Sequence, residues 1–363
     1  MDGELSYLQF QTADLPLVPA GWFEYGYSVL WNGTLALVRT DVDIWGRIKR
    51  HDYAGKRHGQ HEPLKLWPCC LRLSVFDGKK ERHVSTFRVG GAPTVAMTPD
   101  GDWVISIWSW NKDVPEGLLV DQGGRMIREL HLGTGVEHLR CAQDGTIWAG
   151  YGDVGVYASE EDGKSLVSQG GVVQFSQEGR PLWSLHDENS SRVTCDHCYA
   201  LTIEGGQAWT YTYSSWSIGS YGSKSCGEWR NRISFADALA VHGDHVVLSG
   251  NYGEGPDRLL LLRLMKNRVR VLRTWKLEPR PAGRENSYAQ GNGDTLHIVH
   301  SGRWRRIRVQ ELIGLHQAMV ELQDAEDSQE TACHRLVEDG SGPMVRKKWQ
   351  GDWKPLLPCR PVR

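Results

Sequence analysis

From residue 94 to residue 299 the chain repeats one arrangement of apolar and polar positions. A short run with alternating apolar side chains meets a turn that ends in glycine, and a second apolar run leaves it. The clearest copy is Gly135-Val-Glu-His-Leu-Arg-Cys-Ala-Gln-Asp-Gly145, followed by Thr146-Ile-Trp-Ala-Gly-Tyr151. Alternation on both sides of Asp-Gly predicts two antiparallel strands joined by a tight turn. Further copies run from Thr94 through Gly101 to Trp108, Cys198 through Gly206 to Tyr213, Ala238 through Gly243 to Gly250, and Ser287 through Gly293 to Val299. The turn glycines Gly101, Gly145, Gly206, Gly243 and Gly293 lie 44, 61, 37 and 50 residues apart. That loose period centres on the length of a four-stranded propeller blade.

Second hairpins fill the gaps: Leu118–Leu130, Val172–Leu185 and Leu259–Trp275. A front copy, Tyr27 through Gly33 to Arg39, has its outer hairpin at Cys70–Phe87. The fold expected is therefore all-β, a propeller of six four-stranded blades, WD40-like in its repetition; an open sandwich is the alternative. The last blade, through Val309, shows only three strands. An open edge is a liability, so the N-terminal strand Glu4–Phe10 is expected to close the ring, antiparallel to Trp304–Val309. Trp148 and Trp209 follow equivalent turns and should be buried between blades.

Three segments depart from the repeat. Gly46–Pro63 is a polar insertion with five Lys and Arg and with His51, His58 and His61. Tyr213–Asn231, rich in Ser, Gly and aromatics, reads as a cover over one face. Beyond Glu311 the blade pattern stops. There Leu312, Leu315, Met319 and Leu322 predict a short amphipathic helix, Ala325–Thr331 looks solvated, and Val345–Trp349 reads as a last strand. The domains expected are a propeller over 1–310, with its insertion at 46–63, and a C-terminal extension over 311–363, packed on the propeller or trailing from it.

Composition narrows the classes. The formal net charge of −2 and pI near 6.7 do not support a dominant polyanion-binding role. Met1–Leu5 has no signal-peptide pattern and no apolar run reaches a membrane span. Eight Cys in 363 residues do not make a disulfide framework. A cytoplasmic location is expected, with no membrane partner. The 16 Trp outnumber the 12 Tyr and 6 Phe, which suits packing between sheets and equally suits stacking on sugars or bases.

Three phrases carry a resemblance: Gly135–Tyr157, Gly171–Leu185 and Asp196–Tyr213, the last opening Asp-x-Cys-Tyr-Ala-Leu. Over roughly residues 94–264 the chain resembles an uncharacterised bacterial family that looks like six-bladed propellers. The resemblance implies that fold and no activity. The Asp-Gly-Thr-Ile-Trp cadence is also similar to ligand-sensing propellers of bacterial signalling proteins.

Candidate chemistry is sparse. Cys195-Asp-His-Cys198 has metal-ligand spacing, but no second pair accompanies it, and strand residues three apart face opposite ways. Buried thiols are the better reading, and neither metal nor cofactor is expected. Glu137, His138, Asp153, Asp196 and Asp237 sit near the ends of inner strands and could converge in the central funnel to bind a ligand. His138 beside Glu137 leads this set, because an imidazole next to a carboxylate can orient a ligand or act as a base. Arg303, Arg305, Arg306 and Arg308 around Trp304, with the basic insertion and Tyr53, offer a weaker nucleic-acid reading. Exposed aromatics in Trp209–Tyr221 offer a carbohydrate reading. No nucleophile elbow, HExxH or P-loop appears. The function expected is a non-enzymatic scaffold that binds a protein partner or small ligand through face loops or funnel. A propeller hydrolase or lyase acting in the channel, with a divalent metal as an option, is the second reading.

Overall fold

The computed structural model describes residues 3–4, 10–48, 68–108, 113–159, 166–188, 195–213, 215–222, 226–250, 258–277 and 287–338. The insertion from residue 49 to Pro63, with its three histidines and Tyr53, lies outside them, as does Val345–Trp349.

Six antiparallel sheets of four strands make the architecture. The first blade is β3 (Phe23–Val29), β4 (Leu35–Thr40), β5 (Cys69–Phe76) and β6 (Glu81–Val89); the second is β7 (Ala92–Met97), β8 (Trp103–Trp108), β9 (Gly117–Val120) and β10 (Met126–Leu130). The third is β11 (Val136–Cys141), β12 (Ile147–Tyr151), β13 (Val172–Phe175) and β14 (Pro181–Ser184). The fourth is β15 (Cys198–Glu204), β16 (Gln207–Thr212), β17 (Ser217–Tyr221) and β18 (Gly227–Arg230). The fifth is β19 (Ala238–His242), β20 (His245–Ser249), β21 (Arg258–Leu264) and β22 (Val269–Lys276), with β1 (Gly3–Glu4) added in parallel at its outer edge. The sixth is β23 (Ser287–Asn292), β24 (Thr295–His300) and β25 (Arg303–Arg308), completed by β2 (Gln11–Asp14).

The inner strands β3, β7, β11, β15, β19 and β23 each touch the next, and β23 touches β3, so the ring is closed. Strand β15 also touches β23 across the fifth blade. There the Gly293 amide donates to Thr202 Oγ1 at 2.8 Å.

Local chemistry explains the blades. In the third, Gly145 takes φ +86°, a conformation that disfavours a Cβ, and its amide donates to the Ala142 carbonyl at 3.0 Å. Asp144 Oδ1 accepts from both the amide and the hydroxyl of Thr146, which fixes the turn. The strands then bury alternate residues against both neighbours. Leu139 and Cys141 pack with Val104 and Leu119 of the second blade, and Trp148 with Leu201 and Ala208 of the fourth. Trp148 and Trp209 are both buried between adjacent blades, as their equivalent turns required.

Two expectations about the blades change. The strand that closes the sixth blade is Gln11–Asp14, not Glu4–Phe10, and it pairs with Arg303–Arg306. Gln11–Asp14 alternates no large apolar side chains, because an outermost strand needs backbone pairing more than a buried face. Glu4 lies instead beside Lys276 in β1, and residues 5–9 lie outside the description. Tyr213–Asn231 is no cover: it contains β17 and β18, the outer half of the fourth blade. Its Ser and Gly obscure the apolar alternation.

The chain divides into two units, Met1–Gly314 and Leu315–Arg363. Helix α3 (Val309–Glu338) begins in the first, where Val309 and Leu312 are fully buried. It is far longer than the short helix expected and runs through Ala325–Thr331. Two single-turn helices, α1 (Asp153–Val156) and α2 (Leu185–Glu188), stand at blade ends.

Candidate functional site

Bulges shape one face of the ring. In β11 the register slips between Val136 and His138, so Glu137 is the extra residue. In β15 it slips between Cys198 and Ala200, at Tyr199, and in β3 between Glu24 and Gly26, at Tyr25. A bulge turns its side chain out of the regular alternation. All three lie where inner strands begin.

Glu137 Oε2 lies 2.8 Å from His197 Nε2. The amide of Asp153, the first residue of α1, donates to His197 Nδ1 at 3.4 Å. Nδ1 thus accepts, and Nε2 carries the proton that is donated to Glu137. Asp153 Oδ1 stands 3.9 Å from the same Nδ1. The imidazole stacks on Tyr199, with centroids 4.5 Å apart, and Tyr199 lies parallel to Trp216 at 6.0 Å. Tyr213 meets Trp216 edge-on at 5.0 Å, and Phe235 does so at 4.6 Å. Trp216 and Phe235 adopt φ +47° and +61°. Bulky residues take the left-handed region only where the surroundings hold them there. Next to His197 in sequence, the Asp196 carboxylate accepts a hydrogen bond from Tyr157, which raises the phenol's pKa. The surface that results is both aromatic and acidic: Tyr157 is 67% exposed and Tyr213 42%, Glu137 48% and Asp153 68%.

Beneath this face lies the channel. His138 is half-buried, and burial, followed by the Arg140 charge, pulls its pKa down to about 4. It is a neutral imidazole at neutral pH, bonded to the Tyr199 backbone. Arg140 is buried, and burial lowers its pKa as well. Cys195 and Cys198 are both buried; burial pushes the Cys195 thiol up to about 12 and Cys198 well above its ordinary value. Such thiols are protonated and poor metal ligands. At the opposite mouth a cavity of about 610 Å³ is lined by Trp31, Cys141, Asp144, Glu204, Asn292 and Asp294 among others. Burial, and then the Asp294 charge, raise the pKa of Glu204 there.

The structure joins Glu137 and Asp153 through His197, and sets Asp196 in the adjoining turn. His138 lies one residue inward, within electrostatic reach of Glu137, Arg140 and His197. Asp237 stands apart: its amide donates to the Ser249 carbonyl at 3.0 Å, and its carboxylate packs over Gly250. Phe235, two residues earlier, belongs to the aromatic cluster. Trp304 is fully buried, stacked with His297 and under Arg306, so it presents no platform for bases. Sequence reasoning passed over Tyr199, Phe235 and Arg140 as site residues, reached Trp216 only within the Trp209–Tyr221 aromatics of the carbohydrate reading, and met His197 only inside the Cys-Asp-His-Cys spacing. For Arg140 a signal existed: alternation with the outward-turned turn residues places a cation among core positions. For Phe235 none did, and nothing in the sequence marked the left-handed backbone of either Phe235 or Trp216. Among the described residues no cluster of three His, Cys, Asp or Glu side chains is arranged to hold a metal ion.

No protein-family description matches the chain, and no curated protein matches it in sequence. Solved structures resemble it at low identity. One is BBS1N in complex with ARL6DN, 7% identical over 67% of this chain and 75% of that one, with a TM-score of 0.38. Another is the extracellular domain assigned to a one-component system from B. thetaiotaomicron, 10% identical over 84% of this chain but only 42% of that one, TM-score 0.41. A third is a protein of unknown function from Bacteroides caccae, 11% identical over 62% and 78%, TM-score 0.38. The six-bladed propeller fold is read from the strand pairing and the closed ring of inner strands; some of its structural neighbours are of unknown function, the Bacteroides caccae protein among them.

Proposed function

We propose that this protein is a non-enzymatic scaffold that holds a basic, apolar-flanked segment of a protein partner on the face built by Glu137, Asp153, Asp196, His197, Tyr199, Tyr213, Trp216 and Phe235. One observation carries the reading: two bulky aromatics, Trp216 and Phe235, are held in left-handed backbone beside exposed carboxylates. Backbone strain of this kind costs roughly 1–3 kcal/mol per residue and gathers where recognition needs a fixed shape. Stacked rings offer rigid contact area and carboxylates offer charge complementarity to Lys or Arg. Cation–π contact with Tyr213 or Trp216 would add to it. Exposed Val154 and Tyr157 on and after α1 extend the apolar part.

The test is an array of peptides that combine Lys or Arg with aromatic residues, read by fluorescence polarisation. Wild type should bind a subset. Trp216→Ala and Glu137→Gln should each weaken that binding at least about tenfold, equivalent to 1.4 kcal/mol, while the far-UV spectrum is unchanged. Equal binding by both variants, or no binding by wild type, overturns the proposal.

A further inference from the structure

Arg140 is only 5% exposed. Its Nη1 donates to the neighbouring Leu139 carbonyl at 2.8 Å, and its Nε is buried with no hydrogen-bond partner. The groups within its electrostatic reach are His138 and Cys141 from its own strand, Cys198 from β15, Tyr288 from β23 and His297 from β24. None is a carboxylate. All are neutral near pH 7: His138 and His297 are held at about 4 and about 3, Cys141 at about 12, and the Cys198 thiol and Tyr288 phenol are raised well clear. A full positive charge thus sits where three blades converge, and among the described residues no carboxylate forms an ion pair with it; Glu137, the acidic group that shares His138 and Cys198 as neighbours, pairs with His197 instead.

A second orphan donor lies within electrostatic reach of Arg140. His297 is fully buried, and its Nδ1 accepts from Trp304 Nε1 at 3.2 Å. The proton of the neutral ring is therefore on Nε2, which is buried and has no partner. Tyr288 adds a hydroxyl. Gln290, the buried carbonyl-bearing side chain nearby on β23, is already taken by the Val29 amide at 2.5 Å. Donors accumulate here and acceptors do not. Leaving a buried guanidinium uncompensated costs several kcal/mol, and unpaired buried donors are rare.

We propose that the channel binds a small monocarboxylate, held by the Arg140 guanidinium with the His297 imidazole N–H and the Tyr288 hydroxyl. The planar fork of arginine matches the two oxygens of a carboxylate. A single charge fits one guanidinium, and the mouth lined by Asp144, Glu204 and Asp294 disfavours multiply charged anions. This site is independent of the peptide-binding face and stands or falls without it.

The experiment uses the whole protein and sodium acetate at pH 7.5, with sodium chloride and sodium phosphate at equal ionic strength. Acetate at about a hundred times its dissociation constant should raise the melting temperature by roughly 3–5 °C, and the two controls should not. In Arg140→Met the acetate shift should vanish. Without acetate that variant should melt no lower than wild type, because an unpaired buried charge has been replaced by an apolar side chain. Tyr288→Phe, a smaller change, should weaken acetate binding about tenfold in NMR titration with 13C-acetate, and it carries the test if Arg140→Met does not fold. The proposal is overturned if wild type gains nothing specific from acetate, if phosphate or chloride stabilises it equally, or if both variants keep the wild-type response.

Discussion

At the scale of single residues, the left-handed aromatics give the sharpest test. Trp216 holds φ +47° while it packs against Tyr199, Tyr213 and Phe235. Trp216→Ala and Trp216→Gly lose the same ring, but only glycine relaxes the backbone. The glycine variant should therefore be the more stable by about 1 kcal/mol, the reverse of the usual order in a strand or helix. Urea unfolding of the pair reads the difference, and an alanine variant at least as stable as the glycine one would remove the strain argument from the proposed function. Trp148 and Trp209 serve as controls in ordinary backbone. Each is buried between blades, so truncation to Ala should cost roughly 3–5 kcal/mol in the same assay.

At the scale of elements, the sixth blade depends on a strand from the far end of the chain. Strand β2 pairs Gln11–Asp14 with Arg303–Arg306, and the Leu15 amide donates to the Gly302 carbonyl at 2.7 Å. Removing residues 1–9 should leave that pairing in place and lower the melting temperature little. Removing residues 1–15 should expose β25 and lower it by several degrees or more, with aggregation through the open edge. Equal melting of the two truncations would show that β2 does not close the ring. Legibility varied with how much side-chain pattern each element needs. The inner hairpins were plain, because Asp-Gly turns and two buried faces constrain every position from Val136 to Tyr151. The outer hairpin β17–β18 was hidden, because Ser217, Gly219, Ser220 and Gly227 pack by being small. The closing strand was misplaced by several residues, because Gln11–Asp14 contributes backbone and hardly any apolar face. Among candidate site residues, Glu137 and Asp153 were visible as polar groups at strand ends. The bulges that aim Glu137 and Tyr199 at the same face were not, since an extra residue in a strand keeps the local composition unchanged.

At the scale of the whole molecule, the ring closes around histidines that it keeps neutral. His138 faces Glu137 and Arg140 on its own strand, and His197 with the Tyr199 backbone from β15; burial is the largest influence and lowers its pKa from 6.5 to about 4. His297 faces Arg306, Arg140 and Trp304, and burial takes it to about 3. In the unfolded chain both return to about 6.5. Between about pH 4 and pH 6.5 the unfolded chain therefore binds protons that the folded ring does not, and linkage makes stability rise with pH across that window. The contribution is complete above pH 6.5 and is lost as pH falls toward about 4. The carboxylates held below their ordinary range, Asp77, Asp121 and Asp244 from 3.8 and Glu81 and Glu178 from 4.5, add losses as pH falls through those values, and Glu204, raised by burial, acts in the opposite sense. The histidine part is isolated by the difference between wild type and a variant that lacks both imidazoles. Denaturant unfolding measured at intervals from pH 4 to pH 8 should show a steady fall below pH 6.5 in wild type. Substituting His138→Gln and His297→Gln together should flatten the curve through that window even if absolute stability drops, because the slope reports proton uptake rather than packing. A double variant with the wild-type slope would mean that these two imidazoles are not held neutral by the closed ring.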